Sequence, residues 1–515
     1  MSKSRIGNSI KNMSTGVLTY LAVIVLQFVN RIFFLKYLSV NYLGINGLFT
    51  NMLSMLNIAE LGIAGAMVYA LYKPLSVNDT EAIKAIMLLY KKLYRMVGIT
   101  ILTLGVVLIP FLNLFINVDD IGQIQDLRVY FLLYVVDAGI SYFLSYKRSI
   151  IICNQEYYII NGTNFLKVLL TNVFQVIILI FTQNYFVYLL IKLVFTFGEN
   201  VLISVIADRK YPYLKEDAQL PNRDFTNNIK KNIMAMSMHK VGTIIVFGTD
   251  NIIISKLVSL AATGVYSNYT MIINAASSIL SQFFTAITAS VGNLIAEKKN
   301  EKSDYVYMMF KNIYFINFCL YYLTSIGLFI CLDNFITIWI GQEYLLDIDV
   351  VFCVVLSFFS LGMRKTVLVF KDADGLFWKD RYKPIAEAVC NILFSIPLTM
   401  IWGISGTLLG TIVTNIFIAG TIEAIITYKY LFRKSVIKYF CLQVKYYLLL
   451  FVSLFIVYWM CRNISADTIG SFILRGSVGL FISILVILFF CRANEEFKYA
   501  QNIVYSVIFK KRKVE

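Results

Sequence analysis

The chain has 515 residues, of which 59% are hydrophobic and 15% are charged, and its formal net charge is +16. Soluble domains carry about 25% charged residues. A protein with only 15% charged residues would have too few of them on its surface to stay dissolved in water. The composition therefore excludes soluble enzymes and soluble binding proteins, and it predicts a polytopic membrane protein.

Apolar runs of about 20 residues, the length that crosses a bilayer as a helix, recur along the whole chain. They lie at about 14–36, 43–72, 93–117, 128–150, 159–182, 185–207, 230–256, 263–295, 311–340, 350–370, 383–402, 404–428, 442–461 and 474–491. This pattern predicts an all-α protein with about 14 transmembrane helices. The first run lacks a small-x-small cleavage site before the second, so we expect it to stay as helix one.

Basic residues are concentrated in alternate predicted loops. Examples are "YKKLYR" at 90–95, "EKKNEK" at 297–302 and "KKRKVE" at 510–515. Because positively charged short loops stay in the cytoplasm, we expect both termini to be cytoplasmic. A positive inner face beside anionic lipid accounts for the net charge, so no nucleic-acid partner is expected.

The sequence contains an internal repeat. A shift of 220 positions places 31–50 over 251–270 without a gap and matches five residue pairs: Ile32/Ile252, Lys36/Lys256, Ser39/Ser259, Gly44/Gly264 and Thr50/Thr270. Six predicted helices, an even number, separate the copies, so both enter the membrane in the same sense. A parallel repeat about an axis along the membrane normal is typical of transporters.

The repeat predicts the domain organisation. We expect an N-terminal six-helix lobe at 1–207, a cytoplasmic linker at 208–229 and a second six-helix lobe at 230–430. Residues 431–515 would supply two additional helices and a basic cytoplasmic tail.

Polar side chains in the second predicted helix recur every three or four residues and therefore share one face. They are Asn46, Thr50, Ser54, Asn57 and Glu60. The repeat keeps this face in the eighth predicted helix, with Thr270, Asn274 and Ser277 at the same offset. Two matching polar faces predict a central cavity between two lobes, although Ser and Thr that merely join helices would look alike at any single position.

Ionisable and amide side chains also lie inside other predicted helices. They are Gln27, Asn30 and Arg31 in the first helix, Asp137 in the fourth, Lys192 and Glu199 in the sixth, and Lys240 and Asp250 in the seventh. Such residues usually face a bundle interior and are functional by default. Arg31 is the strongest candidate, and an ion pair between Lys192 and Glu199, seven residues apart, is an open structural alternative.

Some chemistry is absent from the sequence. His239 is the only histidine, which excludes histidine metal clusters and serine–histidine triads. The sequence has no glycine-rich loop ending in Lys-Ser/Thr for ATP, and its eight cysteines lack metal-like spacing. We therefore expect no metal or cofactor, and we expect energy from a proton or sodium gradient, the membrane potential, or consumption of the product.

Two blocks carry a family resemblance. "YLGINGLFTNMLSMLNIAELGIAGAMVYALYKPL" (42–75) and "GTDNIIISKLVSLAATGVYSNYTMIINAASSILSQFFTAITASVGNLIAEKK" (248–299) resemble the bacterial polysaccharide exporters. These are the Wzx-type flippases of capsule, exopolysaccharide and O-antigen repeat units. Their superfamily also holds the multidrug-and-toxin extruders and the lipid II flippase, and the resemblance covers about residues 5–430.

The resemblance implies a V-shaped bundle of two lobes in the bacterial cytoplasmic membrane, working by alternating access and not as an enzyme. Its substrate would be an undecaprenyl-pyrophosphate-linked oligosaccharide, with membrane lipid as surroundings and a polysaccharide polymerase and chain-length machinery as candidate partners.

On this hypothesis Arg31 and Lys240 hold the pyrophosphate, because guanidinium and ammonium groups suit phosphate oxygens. Substrate would also contact the polar residues Gln27, Asn30, Thr50, Ser54, Asn57, Lys192 and Asn274. Glu60, Asp137, Glu199 and Asp250 would balance charge or couple ions.

Two alternatives remain open at this point. A cation-coupled multidrug extruder of the same fold would be expected to have a cavity dominated by carboxylates, whereas this chain mixes carboxylates with Arg31, Lys192 and Lys240. A membrane-embedded glycan polymerase does not require two like halves, so the repeat counts against it.

Overall fold

The structure is a computed structural model that describes residues 2–509 apart from 61, 121, 123, 125, 223–224, 228, 231–232, 234–247, 298–302, 377–378 and 466. Within these residues the chain is helical almost throughout and contains no strand. The protein is therefore all-α, as its apolar periodicity predicts.

The helices follow the predicted spans in order, except that most of the predicted span at 230–256 lies outside the described residues. In the first half they are α1 (Ser2–Tyr37), α2 (Val40–Leu56), α3 (Ile63–Ser76), α4 (Thr80–Leu108), α5 (Leu127–Ser145), α6 (Arg148–Cys153), α7 (Tyr157–Thr182), α8 (Tyr185–Lys210) and α9 (248–257). In the second half they are α10 (Leu260–Glu297), α11 (Ser303–Trp339), α12 (Ile348–Ala373), α13 (Lys383–Val413), α14 (Thr421–Ile426), α15 (Ile437–Cys461), α16 (Ile469–Cys491) and α17 (Glu495–Phe509).

Ten helical stretches among the described residues are long and apolar enough to cross a membrane, counting Lys383–Phe432 as one. That stretch holds two predicted spans, because non-helical backbone at Trp402 and Gly403 interrupts it. Gly403 has φ +56°, a conformation that costs glycine little. The prediction of separate spans at 383–402 and 404–428 is confirmed.

The two spans on either side of Gly403 pack as a hairpin joined by small polar residues. Asn391 Nδ2 donates to Thr411 Oγ1 at 2.9 Å, and the hydroxyls of Thr399 and Thr407 lie 2.8 Å apart. Small residues and hydroxyl pairs let helices approach closely in lipid, where no hydrophobic force drives them together.

The second predicted span is not one continuous helix. α2 ends at Leu56, a 3₁₀ turn covers Asn57–Glu60, and α3 begins at Ile63 after Gly62, whose φ is +87°. The 3.6-residue spacing of the polar stripe therefore holds only as far as Asn57, and Glu60 lies at a break. The prediction of an unbroken helix over 43–72 is wrong.

Residues 495–509, in the region of the predicted tail, are helical. They form α17, which packs on α11 through an ion pair between Lys311 and Glu496 at 3.1 Å and a ring contact between Phe315 and Phe497. The basic residues at 510–515 lie outside the described residues.

The described chain divides into two compact units, Met1–Gly264 and Val265–Glu515. The first unit has two apolar cores, one around Phe49, Phe131 and Val135 and the other around Ile101, Ile150 and Ile151. The second unit has an aromatic core in which Phe318 stacks on Tyr446 at 3.9 Å. Because Tyr446 belongs to α15, the first of the two additional helices is part of that core.

In the first unit, α2 and the start of α10 cross at a pair of glycines related by the repeat. A Cβ on Gly44 would lie 1.9 Å from the carbonyl oxygen of Leu260, and one on Gly264 would lie 2.4 Å from that of Val40. Val40 and Leu260 are themselves 220 positions apart. The contact is thus reciprocal under the repeat offset, which supports the internal repeat.

Gly44→Ala should therefore lower the free energy of unfolding by about 1–3 kcal/mol, because backbone atoms cannot move aside as a flexible side chain can. Thermal unfolding in detergent would measure this. Gly198→Ala is the matched control, since a Cβ at Gly198 meets nothing within 4 Å. Equal stability of the two variants would contradict the close crossing.

Candidate functional site

Asn30 lies in a closed ring of hydrogen bonds that joins α1, α7 and α8. Asn30 Nδ2 donates to Gln175 Oε1 at 3.1 Å, Gln175 Nε2 donates to the Tyr188 carbonyl at 3.1 Å, and Tyr188 Oη donates to Asn30 Oδ1 at 3.0 Å. We call Asn30, Gln175 and Tyr188 the amide ring. All three are buried, so the ring holds helices together.

The neighbours of the amide ring on α1 are more accessible. Arg31 is partly buried and interacts electrostatically with Tyr188, whereas Gln27 is exposed. The structure thus separates three predicted site residues of α1: Asn30 is engaged inside the unit, Arg31 is partly buried near Tyr188, and Gln27 is exposed.

A second cluster surrounds Lys192 on α8. Its Nζ lies 3.6 Å from Asp137 Oδ2 and 4.7 Å from the centre of the Tyr134 ring. Tyr134 Oη donates to Asn46 Oδ1 at 2.7 Å, and Thr50 Oγ1 donates to the same oxygen at 3.3 Å. We call Asn46, Thr50, Tyr134, Asp137 and Lys192 the lysine platform.

The lysine platform is open on one side. The side chain of Lys192 is 40% exposed and that of Asp137 is 17% exposed, and Thr50 is exposed as well. Asp137 Oδ1 has no hydrogen-bond partner among the described residues. The hydroxyl oxygens of Tyr185 and Tyr134 lie 3.3 Å apart, and the ring of Tyr185 stacks on that of Tyr188. Tyr185 therefore connects the lysine platform to the amide ring.

The predicted polar stripes are only partly accessible. Ser54 Oγ donates to the backbone of Asn51 at 2.7 Å, and Thr270 Oγ1 donates to the backbone of Ser267 at 3.0 Å. Asn274 is exposed, whereas Asn57 Oδ1 is buried and has no hydrogen-bond partner among the described residues. Several stripe hydroxyls thus satisfy themselves on their own helix, as helix-joining residues do.

Glu60 is held by tyrosines. Tyr94 Oη donates to Glu60 Oε1 at 2.6 Å, and Tyr142 Oη donates to Glu60 Oε2 at 2.7 Å. Both tyrosines are buried, at 4% and 9% exposure. We call Glu60, Tyr94 and Tyr142 the Glu60 cage, which stands at the break between α2 and α3.

Glu199 does not pair with Lys192, so the predicted alternative of an ion pair between them is wrong. Glu199 is buried and binds Arg148 at 3.1 Å and Lys167 at 3.0 Å, which joins α6, α7 and α8. Residues seven apart lie about two helical turns, or roughly 10 Å, apart along one axis, so each finds its partner on a neighbouring helix instead.

The second unit contains a charge cluster that the sequence analysis did not identify. Arg364 binds Glu423 through two nitrogens, at 2.8 and 3.0 Å, and Glu387 at 3.0 Å, and it also donates to Asn415. Lys383 bridges both carboxylates, at 2.6 Å to Glu423 and 3.0 Å to Glu387. Because the charges cancel and every member is nearly buried, we interpret the cluster as structural.

The last two predicted site residues are Lys240, which lies outside the described residues, and Asp250, which is partly buried on α9.

Several residues of these clusters were missed by the sequence analysis. Tyr94, Tyr134 and Tyr142 were missed because a tyrosine in an apolar run gives no spacing signal. Gln175, Arg364, Glu387 and Glu423 each lie within a predicted span, and the rule that singled out Gln27 and Arg31 would have found them.

Comparison with solved structures connects this fold to known transporters. A multidrug resistance MATE family transporter of the MOP superfamily, in an inward-facing conformation, superposes with a TM-score of 0.61 at 14% identity, covering 82% of this chain and 97% of that chain. The lipid II flippase MurJ, in an inward closed conformation, superposes with a TM-score of 0.63 at 16% identity, covering 92% of this chain and 99% of that chain. The chain has the fold of the MOP superfamily transporters.

A MOP superfamily transporter from Pyrococcus furiosus is also similar, with a TM-score of 0.51 at 13% identity over 83% of this chain and 95% of that chain. No protein-family model matches the sequence. No curated protein matches it. The chain is a multi-pass membrane protein whose similar folds belong to transporters and flippases.

Replacing Asn30 by leucine should lower the free energy of unfolding by about 1–3 kcal/mol, because it leaves Gln175 and Tyr188 with unmatched polar groups. Unfolding in mixed micelles would measure the loss. Adding Gln175→Leu to Asn30→Leu should recover part of it, since removing both partners is less harmful than removing one. Full additivity of the two losses would contradict the amide ring.

Arg364→Met should destabilise the second unit by about 3–5 kcal/mol, because two buried carboxylates lose their common partner. Lys311→Met is the matched control, since Lys311 is 32% exposed and its ion pair with Glu496 should contribute at most about 1 kcal/mol. Thermal unfolding of the two variants side by side tests this. Comparable losses would show that the cluster is not the main electrostatic contact of the unit.

Proposed function

We propose that this protein is a flippase that moves undecaprenyl-pyrophosphate-linked oligosaccharide repeat units across the bacterial cytoplasmic membrane by alternating access, for capsule, exopolysaccharide or O-antigen synthesis. The observation that carries the proposal is the lysine platform. It presents an accessible ammonium and an accessible hydroxyl on a membrane-embedded unit, beside the amide of Asn46 and above the buried ring of Tyr134.

The charge of the substrate fits the basic side chains. A pyrophosphate keeps its negative charge in any aqueous cavity and would not enter lipid unaided. Lys192 lies at the long end of the range for an ion pair with Asp137, so its ammonium can turn to phosphate oxygens at little cost. Arg31 and Lys240 are proposed to complete the phosphate-binding set.

The sugars fit the neutral part of the site. Asn46 and Thr50 offer groups for hydroxyls, and the buried Tyr134 fixes the position of Asn46 through its hydrogen bond. Gln27 and Asn274 are exposed and could extend this surface, and Ser54 and Asn57 are proposed to line it. The prenyl chain would stay in the surrounding lipid.

Acidic residues are proposed to balance and couple charge. Asp137 shares the lysine platform, Glu199 is already neutralised by Arg148 and Lys167, and Glu60 and Asp250 remain candidates for coupling to a proton or sodium gradient. A polysaccharide polymerase and its chain-length machinery are the proposed partners that would consume the exported product.

The mixed charge of the lysine platform favours a flippase over a drug extruder of the same fold. Organic cations favour a carboxylate-rich surface, whereas here the carboxylate of Asp137 lies beside the ammonium of Lys192. The structural likeness covers 92% of the chain for the lipid II flippase and 82% for the MATE transporter, and a likeness of fold is consistent with either function.

Lys192→Gln should lower transport about 10- to 100-fold, because the ammonium contributes charge-assisted hydrogen bonds to the pyrophosphate. In the native bacterium, the measurement is the amount of lipid-linked oligosaccharide on the inner leaflet, together with surface polysaccharide, after replacement of the wild-type gene. Accumulation inside with loss outside is expected. Lys192→Arg should retain part of the activity.

Lys311→Gln serves as the control, since it also removes a lysine from an ion pair but lies in the second unit beside α17. Normal lipid-linked sugar and normal surface polymer after depletion of the whole protein would contradict the flippase proposal. If such cells also became sensitive to organic cations, the drug-extruder alternative would take its place.

A further inference from the structure

A chain of hydroxyl groups leads to Glu60. Ser149 Oγ donates to Tyr90 Oη at 3.1 Å, Tyr90 Oη donates to Tyr94 Oη at 3.0 Å, and Tyr94 Oη donates to Glu60 Oε1 at 2.6 Å. Tyr90 and Tyr94 each accept one hydrogen bond and donate the next. All donors point the same way, towards the carboxylate, which is the arrangement that a proton relay requires.

This chain of hydroxyl groups is shielded from solvent along its length. Ser149, Tyr90 and Tyr94 are 5%, 1% and 4% exposed, and the rings of Tyr90 and Tyr94 meet edge to face at 4.4 Å. A chain of hydroxyl groups inside an apolar core indicates a function, since leucine or phenylalanine would pack there without polar atoms that require hydrogen-bond partners.

The hydroxyl chain ends at Ser149, away from Glu60, and this end lies near a polar cavity. Ser149 is two residues from Lys147, which lines a cavity of about 390 Å³ together with Lys84, Lys91, Asp208 and Glu216. Lys147 Nζ binds Asp208 at 2.7 Å, so the cavity wall holds charged groups that keep water. Met87 and Lys91, three residues before and one residue after Tyr90 on α4, line the same cavity.

The groups that face Glu60 are hydroxyls. Tyr94 and Tyr90 approach from α4, Tyr142 approaches from α5, and Ser149 and Cys153 of α6 lie behind Tyr90. Among the described residues no lysine or arginine forms an ion pair with Glu60. This carboxylate is therefore partnered by neutral donors there, unlike Glu199 a few helices away.

We propose that Glu60 is a proton-binding site of the transport cycle and that Ser149, Tyr90 and Tyr94 deliver its proton from water in the polar cavity. Tyr94 gives its hydroxyl proton to Glu60 while it takes one from Tyr90. Tyr90 takes one from Ser149, and Ser149 takes one from a hydronium ion, which becomes water. The net change is one proton moved from water to the carboxylate, after which the hydroxyls rotate back.

The position of Glu60 gives this proton a mechanical effect. A carboxylate accepts from Tyr94 and Tyr142 at once, whereas a protonated carboxyl group carries a donor of its own and cannot keep both bonds unchanged. Glu60 ends the 3₁₀ turn next to Gly62, where the helix is already broken. Proton uptake would thus change the joint between α2, which carries Thr50 of the lysine platform, and α3.

Infrared difference spectra of the purified full-length protein, taken between acidic and alkaline buffer, test the proton site without any transport. The carbonyl band of protonated carboxyl groups is expected to contain a component from Glu60 in the wild type, and this component should be absent in Glu60→Gln. After a light-triggered proton release, Tyr90→Phe should reach the same band amplitude about tenfold more slowly, because one link of the relay is missing.

Tyr211→Phe is the matched control. Tyr211 Oη also donates to a carboxylate, Glu156 Oε2, at 3.0 Å, but it lies outside the chain of hydroxyls. It should keep the wild-type rate. A carbonyl band identical in wild type and Glu60→Gln would overturn the site, and an unchanged rate in Tyr90→Phe would overturn the relay.

The coupling role rests on the proposed transport function, and proteoliposomes loaded with lipid-linked oligosaccharide separate the two. A pH gradient should accelerate wild-type transport and leave Glu60→Gln unaffected. Transport that ignores the gradient in both proteins would refute the coupling. If the wild type moves no lipid-linked oligosaccharide at all, the flippase proposal fails, and the infrared result alone still decides whether Glu60 binds a proton.

Discussion

A polar group surrounded by hydrocarbon must find its partner inside the protein, and this constraint decides where the helices of each unit meet. The amide ring joins α1, α7 and α8 because Asn30 and Gln175 have no water to turn to. Glu199 and Arg364 each draw in side chains from two other helices for the same reason. Apolar packing fills the remaining space, but an apolar side chain contacts lipid about as favourably as it contacts another helix. The polar contacts therefore define which helices are neighbours.

The two units solve this problem with corresponding helices. In the first unit Arg148, Lys167 and Glu199 connect α6, α7 and α8, and in the second Arg364, Glu387 and Glu423 connect α12, α13 and α14. Lys167 and Glu387 occupy equivalent positions, 220 apart, with opposite charge. The first cluster contains one more cation than carboxylate, whereas Lys383 makes the second cluster neutral. The architecture is repeated while the electrostatics of the two halves differ.

The helices could be predicted because a membrane span is recognised by length and apolarity alone. The pair of Gly44 and Gly264 could be predicted from the repeat. The partners of the buried polar side chains could not be predicted, since spacing along one helix says nothing about the side chains that a neighbouring helix supplies. Lys192 and Glu199 illustrate this, because each pairs across helices and not with the other. The break after Leu56 was also hidden, because Asn57 and Glu60 continue the helical spacing in sequence while the backbone has already tightened to a 3₁₀ turn.

The reciprocal contact of Gly44 with Leu260 and of Gly264 with Val40 also follows a rule of symmetric assemblies. In a symmetric dimer of identical chains, residue i of one copy touches residue j of the other, and j touches i in return. The two glycines obey this rule at an offset of 220, within one polypeptide. The close crossing of α2 and α10 thus has the form of an interface between two identical subunits, although both helices belong to one chain.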